Sequence, residues 1–233
     1  MLKNPLRKVI QSAGIDIHRY HPEADRLAWL SNLGIQTVFD IGANVGQFAA
    51  EIRDALPQAQ IYSFEPLKEC FEKLNTAFKA DTHFQSFNCA LGEAESVMTM
   101  NKSAYTPSSS LRPMADSHKE LFPHTKENKP EMIKVRRLDD VFAELNPSRE
   151  ILIKVDTQGY EDKVIAGGLH AFSQARAVLI EASFVELYEG QPLFDDIYQK
   201  MRNFGLVYRG ALHQKIDKQT GEVIFEDAIF VRD

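Results

Sequence analysis

The sequence predicts an α/β fold built on a mostly parallel sheet with helices on both faces. Short apolar strands, rich in β-branched and aromatic residues, alternate along the chain with segments of helical periodicity. The strand at 37–41 is followed at once by a glycine turn and a helix, which is half of a nucleotide-binding α/β unit. No linker separates two cores, so the 233 residues form one large domain.

The turn after the first strand has the spacing Gly-x-x-x-Gly. Gly42 and Gly46 allow the backbone to turn tightly and to approach a ligand. A dinucleotide fingerprint has a second glycine where this chain has Asn44, and no Lys-Ser or Lys-Thr follows as in a P-loop. The spacing therefore argues against a pyrophosphate or phosphate site.

Two carboxylates indicate the kind of ligand. Asp40 lies just before Gly42, where an anion would repel pyrophosphate but suit a cationic or zwitterionic ligand. Glu65 ends the next strand, 23 positions after Gly42, close to the offset at which an acidic residue meets a ribose diol in such folds. Each charge-assisted bond to the diol would contribute about 1.5–3 kcal/mol. The site suits a nucleoside without phosphates.

The remaining elements continue the alternation. Strands are predicted at 60–64, 83–87, 95–100, 132–136, 151–156, 176–181, 206–210 and 228–231, with an antiparallel turn at 218–221. Helices are predicted at 46–56, 67–79, 138–145, 160–166 and 194–204. Residues 1–36 are expected to form a helical N-terminal segment, with helices over 5–13 and 25–33.

The segment 101–130 lacks sustained periodicity and is rich in serine and proline. A loop of this length is usually either a functional lid or a mobile insertion, and the pattern does not separate the two. If it folds over the site, Ser108–Ser110, His118 and His124 are the polar side chains expected near an acceptor.

Six short motifs follow one another along the chain: Asp-Ile-Gly-Ala-Asn-Val-Gly at 40–46, Phe-Glu-Pro at 64–66, Ala-Leu-Gly at 90–92, Lys-Val-Asp-Thr-Gln-Gly-Tyr-Glu at 154–161, Leu-Tyr-Glu-Gly-Gln at 187–191 and Asp-Ala-Ile-Phe-Val-Arg at 227–232. This ordered set resembles the FkbM family of S-adenosylmethionine-dependent methyltransferases. The resemblance implies a Rossmann-like class I methyltransferase fold, with a seven-stranded sheet whose last strand is antiparallel. The methyltransferase domain would span 37–233 with an insertion at about 101–130. The family typically O-methylates sugars or hydroxyls of natural products.

The ends of parallel strands meet at one edge of a sheet, and the candidate site lies there. Asp40 is expected near the amino-acid end of the donor and Glu65 on its ribose, as the resemblance also implies. The expected donor-binding residues are Asp40, Gly42, Ala43, Asn44, Gly46, Phe48, Glu65, Pro66, Asn88, Ala90 and Asp156. Asn88 could instead be a turn residue that caps its strand.

Methyl transfer to a hydroxyl requires a base, which contributes typically about 10²–10⁴-fold. Asp156 and Glu181, each at a strand end, are the predicted catalytic carboxylates, with Asp156 preferred as base. Glu161 is expected to be a salt-bridged helix residue. Asp156 and Glu181 could also bind Mg²⁺, but no clustered metal motif is present and no metal is predicted. His213, like the loop histidines, is expected to be solvated.

Composition limits partners and location. The net charge of −6 implies no basic face for nucleic acid. Cys70 and Cys89 fit no metal-binding spacing and are expected to be buried thiols in a reducing compartment, so the cytoplasm is predicted. Neither a signal peptide nor a membrane-spanning run is expected. The expected partner is a small-molecule or glycan acceptor, and the protein could act as a homodimer.

Two other functions fit the same fold class. A nicotinamide-dependent oxidoreductase would use the same unit, but Asn44 and the charge of Asp40 disfavour a dinucleotide. A non-catalytic nucleoside-binding module would bind the donor without turnover, which only an activity measurement distinguishes.

Overall fold

The computed structural model describes residues 26–125 and 127–233. Within them the strands are β1 (Thr37–Ile41), β2 (Gln60–Phe64), β3 (Phe84–Phe87), β4 (Ala90–Leu91), β5 (Ser96–Ser103), β6 (Asn128–Arg136), β7 (Ile151–Val155), β8 (Ala175–Ser183), β9 (Leu206–Ile216) and β10 (Val223–Arg232). The α-helices are α1 (Gln47–Ala55), α2 (Lys68–Ala77), α3 (Asp116–Leu121), α4 (Leu138–Leu145), α5 (Glu161–Ala166), α6 (Leu169–Gln174) and α7 (Phe194–Asn203). Short 3₁₀ helices cover Ala28–Leu33, Thr106–Ser108 and Pro123–Thr125.

A seven-stranded sheet with the order β3-β2-β1-β7-β8-β10-β9 forms the centre of the molecule. β10 runs antiparallel to both of its neighbours, and the pairs from β3 to β8 are parallel. The predicted mostly parallel sheet with an antiparallel last strand is therefore confirmed. Chain order reverses between β1 and β7, and at such a point the strand ends open into a ligand crevice.

Helices cover both faces of this sheet because the strand residues alternate between two cores. Phe39 and Ile41 of β1 pack into the core formed with α4, α5, α6 and α7. Val38 packs into the opposite core, with Ile52 of α1 and Leu30. All five residues of β1 are buried, which explains its nearly continuous apolar run. It also makes the carboxylate of Asp40 an exception that needs a partner.

The predicted N-terminal helices are only partly within the described residues. The helix over 5–13 lies outside them, as does the start of the helix over 25–33. The described part of the second helix contains a 3₁₀ helix, Ala28–Leu33, that ends at Gly34 with a left-handed φ of 67°. Gly34 therefore ends the helix as predicted.

A second, three-stranded sheet with the order β4-β6-β5 was not predicted. β5 and β6 pair in antiparallel register from Ser96↔Val135 to Ser103↔Asn128, so both strands reach further than expected into the 101–130 segment. The remaining connection, 104–127, contains α3 and two 3₁₀ helices rather than a featureless loop. Its boundaries were missed because the added strand residues are mostly polar and owe their structure to pairing across the hairpin.

Both cysteines, Cys70 and Cys89, are free and buried, as predicted. Burial raises the pKa of the Cys89 thiol to about 11, so this group stays protonated near neutral pH. Among the described residues, no helix is both long enough and apolar enough to cross a bilayer.

Candidate active site

The strand ends of β1, β2, β7 and β8 border a cleft of about 380 Å³. This volume lies within the range of about 300–1,000 Å³ that is usual for small-molecule sites. Most of the residues predicted for the site line the cleft: Gly42, Ala43, Asn44, Phe48, Glu65, Pro66, Ala90, Asp156 and Glu181. Three others, Asp40, Gly46 and Asn88, do not line it.

The glycine turn passes directly over the end of β7. Gly42 has a φ of +81°, and a Cβ atom there would lie 1.9 Å from the carbonyl oxygen of Asp156. The backbone N–H groups of Gly42 and Ala43 both donate to the carbonyl of Phe64, at 3.1 and 3.0 Å. The turn is thus fixed between two neighbouring strands, and glycine is required for steric as well as conformational reasons.

Glu65 follows β2 directly, and its buried carboxylate accepts two backbone hydrogen bonds. The side chain is 5% exposed, and it accepts the N–H of Asn44 at 2.9 Å on one oxygen and that of Leu67 at 2.8 Å on the other. Burial raises the pKa of Glu65 to about 7, although these two bonds oppose the shift. Each oxygen keeps acceptor capacity for a hydroxyl in the cleft, so the site fits a nucleoside diol.

Asp40 lies behind the glycine turn rather than on the cleft surface. It is fully buried, 3.4 Å from the ammonium of Lys154, and it accepts the hydroxyl of Ser63 at 3.3 Å. Lys154, which lines the cleft, also donates to the carbonyl of Gly42 at 3.1 Å. Burial raises the pKa of Asp40 and the Lys154 charge opposes this. Contact between Asp40 and the donor stays a prediction.

The other two predicted residues outside the cleft support its walls. Gly46 begins α1 with a φ of +95°, and a Cβ atom there would meet Phe78 and Leu74 at 2.7 and 2.8 Å. The amide of Asn88 donates to the carbonyls of Glu65 and Pro66, both at 2.9 Å. Asn88 therefore fixes the peptide that carries Glu65, and its contact with the donor stays a prediction.

The two predicted catalytic carboxylates are bridged by one side-chain amide. Gln158 Nε2 donates to Asp156 Oδ1 at 2.7 Å and lies 3.1 and 3.2 Å from the two carboxylate oxygens of Glu181. Burial, followed by the charge of Asp156, raises the pKa of Glu181 well above its ordinary value. Asp227 of β10 also lines the cleft, and burial raises its pKa to about 6.

Glu161 is not the salt-bridged helix residue that was expected. Among the ion pairs of the described chain, none includes this side chain. Its Oε1 atom accepts the N–H groups of Thr157 and Gly159 at 3.0 and 3.2 Å and the Thr157 hydroxyl at 3.0 Å. Burial raises its pKa to about 7. Glu161 therefore holds the turn between β7 and α5 in place from inside the fold.

The histidines separate into two groups. His213 of β9 lines the cleft, with its Nδ1 atom 4.0 Å from a carboxylate oxygen of Asp227. His118 and His124 do not line it. His118 is buried against the ring of Tyr188, with centroids 4.9 Å apart, and burial lowers its pKa to about 4. It is therefore a neutral packing residue near pH 7.

The 104–127 segment is a packed cover over one side of the cleft. The amide of Asn44 donates to the hydroxyl of Thr106 at 3.3 Å, which joins the cover to the glycine turn. One guanidinium nitrogen of Arg112 donates to both carboxylate oxygens of Asp162 of α5, at 2.9 and 3.0 Å. Of the three consecutive serines, Ser109 alone lines the cleft. These contacts hold the segment against the rest of the fold, and its role as a lid stays a prediction.

Lys154, Gln158 and Asp227 also line the cleft, and the sequence analysis gave none of them a role. Lys154 carried a usable signal, because it is the charged residue in the apolar run of β7. Gln158 carried none, since its part depends on partners distant in the chain. Asp227 lay outside the strand expected at 228–231. Within the described residues, His, Cys, Asp and Glu side chains form no group of three or more that could hold a metal ion.

Comparison with known proteins decides the family. A family model described as "Methyltransferase FkbM domain" matches residues 40–208, well over half of the chain. The chain belongs to the FkbM methyltransferase family. It is an S-adenosylmethionine-dependent O-methyltransferase with a class I methyltransferase fold, as the sequence predicts. This family assignment gives no support to the oxidoreductase alternative.

Curated relatives match over much of the chain. The 2-O-methyltransferase NoeI of Sinorhizobium fredii is 28% identical over 177 residues, which cover 73% of this chain and 72% of NoeI. The methyltransferase sdnD of Sordaria araneosa is 27% identical over 154 residues, which cover 56% of this chain and 59% of sdnD.

Solved structures share the fold at low sequence identity. The N-terminal domain of EvdMO1, determined in the presence of S-adenosylhomocysteine and D-fucose, matches with a TM-score of 0.52 and 11% identity, covering 100% of this chain and 98% of that domain. A methyltransferase described as putative, from Thermobifida fusca, matches with a TM-score of 0.50 and 12% identity, covering 91% of this chain and 79% of the other.

Proposed function

We propose that this enzyme methylates a hydroxyl of a saccharide or glycoside, with Asp156 and Glu181 as the carboxylate pair that takes the hydroxyl proton. The observation that carries the proposal is the arrangement of the cleft. A buried carboxylate, Glu65, lies at one wall, and two carboxylates bridged by Gln158 lie at another. The single carboxylate suits the ribose of a nucleoside donor, and the carboxylate pair suits a polyhydroxylated acceptor.

The donor end is formed by the turn over 42–46, by Phe48 and by the segment that carries Glu65. Glu65 accepts the ribose hydroxyls, and the left-handed backbone of Gly42 and Asn44 brings the main chain against the ligand. Behind the turn, the buried carboxylate of Asp40 is paired with the ammonium group of Lys154. S-adenosylmethionine supplies, when bound, an electrophilic methyl group for in-line displacement by oxygen.

The acceptor end has several polar groups within one wall. Asp156, Glu181, Asp227 and His213 all line the cleft and suit an acceptor with neighbouring hydroxyls. As the oxygen gains the methyl group, the O–H bond breaks and the proton passes to the Asp156–Glu181 pair. A carboxylate becomes a more effective base as its pKa approaches the working pH, and burial shifts the pKa of Glu181 upward, in that direction. Alignment of the reacting atoms can supply a further ~7–11 kcal/mol.

One similar structure supports a sugar acceptor, since the EvdMO1 domain was determined in the presence of D-fucose. NoeI is named a 2-O-methyltransferase, which supports transfer to a hydroxyl oxygen. Free buried thiols at Cys70 and Cys89 support a reducing compartment, and we place the reaction in the cytoplasm. The absence of a nucleic-acid partner follows from the net charge of −6 and stays a prediction, as does a homodimer.

The test is a transfer assay with methyl-deuterated S-adenosylmethionine and a panel of free sugars, glycosides and hydroxylated small molecules, analysed by mass spectrometry. The expected result is a deuterated methyl ether on a saccharide. Transfer only to amines or thiols would contradict the proposal. Binding of S-adenosylhomocysteine without turnover on any acceptor would favour the non-catalytic binding module instead.

We expect the affinity for S-adenosylhomocysteine to depend on pH through Glu65. Its raised pKa of about 7 belongs to the free protein, and hydroxyl donors favour the ionised carboxylate. Binding should therefore release a proton, and affinity should rise as the pH increases through about 7. Glu65→Gln should weaken binding about tenfold or more and remove this pH dependence.

Isothermal titration calorimetry at pH 6, 7 and 8 measures the affinity for S-adenosylhomocysteine. Repeating it in buffers of different ionisation enthalpy gives the number of protons released on binding. Glu72→Gln, on the exposed side of α2, is the matched control and should behave as the unmodified protein. A pH-independent affinity in the unmodified protein, or an unchanged affinity in Glu65→Gln, would remove Glu65 from the ribose site.

A further inference from the structure

We propose that Gln158 is a positioning residue for the methyl transfer: its side-chain amide holds Asp156 and Glu181 together as one pair that carries a single proton. The inference rests on the proposed function, because it gives a further residue to the same acid–base site. It goes beyond that function by stating how two neighbouring carboxylates are kept ready to accept one proton.

The orientation of the Gln158 amide follows from its neighbours. Carboxylates accept hydrogen bonds, so the NH₂ group must face Asp156 and Glu181, which it reaches at 2.7 and 3.1 Å. The amide oxygen then faces Tyr188, whose hydroxyl lies 2.9 Å away and donates to it. Tyr188 is 1% exposed, so this contact is shielded from water. The tyrosine hydroxyl, which also lies 3.2 Å from the carbonyl oxygen of Ser108, supports the orientation that the two carboxylates require.

The backbone at Gln158 is held in a conformation that few residues adopt. Its φ is +55°, a left-handed conformation that a non-glycine residue keeps only where the surrounding structure imposes it. The carbonyl of Gln158 accepts the hydroxyl of Ser110 at 2.6 Å, from the cover segment. The next residue, Gly159, has a φ of +90° and packs against Tyr188, where a Cβ atom would lie 2.8 Å from the tyrosine Cβ. Glu161 ties the same turn from inside the fold.

The charges around Glu181 favour a shared proton. Asp156 at the end of β7, Glu161 of α5 and Asp227 of β10 all face it with negative charge. Lys154 lies 3.7 Å from Asp156 but is also paired with Asp40, and Arg26 and His213 line the same cleft. Two carboxylates in such a site do not both ionise easily. The two N–H groups of one amide satisfy one carboxylate each, so the pair stays ordered with one proton between them.

Gln158→Leu keeps the approximate volume and removes both N–H donors. We expect kcat to fall about 10–100-fold through misplacement of the base, with the affinity for S-adenosylhomocysteine changed less than about twofold. The Gln158 hydrogen bond lowers the pKa of Glu181. Its loss should therefore raise that pKa and move the acid limb of the kcat/KM profile to higher pH. A purely structural role would not move this limb.

Tyr188→Phe is the second variant, since it removes the hydroxyl that orients the amide and keeps the ring. It should shift the acid limb in the same direction by a smaller amount, and it decides the question if Gln158→Leu does not fold. A readout without any acceptor is the titration of the Glu181 carboxyl carbon, followed by ¹³C NMR in the free protein. The titration midpoint should move upward in both variants.

Failure of this inference can be told apart from failure of the proposed function. Gln158→Leu could fold with an unchanged kcat, an unchanged acid limb of the kcat/KM profile and an unchanged Glu181 titration. If Glu181→Gln nevertheless loses activity, the positioning role of Gln158 is wrong and the carboxylate pair stands. If Tyr188→Phe leaves the Glu181 titration unmoved, the orienting role of the hydroxyl is overturned. If Asp156→Asn and Glu181→Gln both retain full activity, the carboxylate pair is not the base, and only the acceptor panel then tests the saccharide proposal.

Discussion

Replacement of Asp156 and Glu181 together by Asn and Gln should leave a folded protein that binds S-adenosylhomocysteine normally and transfers methyl groups at least about 10²–10⁴-fold more slowly. Both side chains line the cleft, and both accept hydrogen bonds from one amide. Amides of the same shape keep the packing but cannot accept the hydroxyl proton. Asp156→Asn alone should already lose rate while the fold and donor binding are retained.

The measurements are single-turnover rates and calorimetric affinities for the two single variants and the double variant. Because the carboxylates act as one pair, the rate losses should not add: the double variant should be little slower than the worse single variant. Asp195→Asn, an exposed carboxylate on α7, is the control and should keep the full rate. Full activity in Asp156→Asn would remove it as a base, and additive losses would separate the two carboxylates into independent roles.

Gly42→Ala should destabilise the protein and abolish donor binding. The φ of +81° already disfavours alanine, and the new Cβ atom would lie 1.9 Å from the Asp156 carbonyl oxygen, which is backbone and cannot rotate away. Positive φ alone costs a non-glycine residue about 1–2 kcal/mol. Because the steric conflict is added to that cost, the loss in free energy of unfolding should exceed about 3 kcal/mol.

Gly221→Ala separates conformational strain from steric conflict. Gly221 has nearly the same φ, +78°, but a Cβ atom there would meet no heavy atom within 4 Å. It should lose only the conformational part, about 1–2 kcal/mol, and keep its affinity for S-adenosylhomocysteine. Urea unfolding of both variants gives the two values. Equal destabilisation of the two variants would show that the 42–46 turn shifts to accommodate the alanine side chain. The close approach of Gly42 to the Asp156 carbonyl would then not be a requirement of the site.

The central strands could be predicted from the sequence because burial on both faces leaves a visible apolar run. The strand predicted at 37–41 has the same bounds as β1. The strands predicted at 151–156 and 176–181 agree with β7 and β8 to within a few residues. The predicted ends of β2, β7 and β8 placed Glu65, Asp156 and Glu181 at one edge of the sheet, where the cleft lies. Sequence position alone locates the ends of parallel strands, so this part of the site was accessible.

The partner of Asp40 could not be predicted, because it depends on strand register. Asp40 pairs with Ser63 of β2 on one side and with Lys154 of β7 on the other. The sequence contains both neighbours, but the spacing along the chain does not reveal which residues meet across a sheet. Its charge was therefore assigned to a ligand, and the structure buries it beside an ammonium group.

The cover segment and the role of Gln158 were hidden for a similar reason. Helix α3 is only six residues long, and the residues by which β5 and β6 extend beyond their predicted bounds are mostly polar and pair across the hairpin. Gln158 depends on Tyr188 and on two carboxylates from different strands. Such long-range hydrogen bonds leave no periodic pattern in the sequence.

The most direct test of the account is a crystal structure of the complex with S-adenosylhomocysteine. The account predicts that both ribose hydroxyls lie within hydrogen-bond distance of the Glu65 carboxylate and that the sulfur atom faces the Asp156–Glu181 pair. A complex in which the nucleoside lies elsewhere, or in which Glu65 keeps only its two backbone partners, would contradict it.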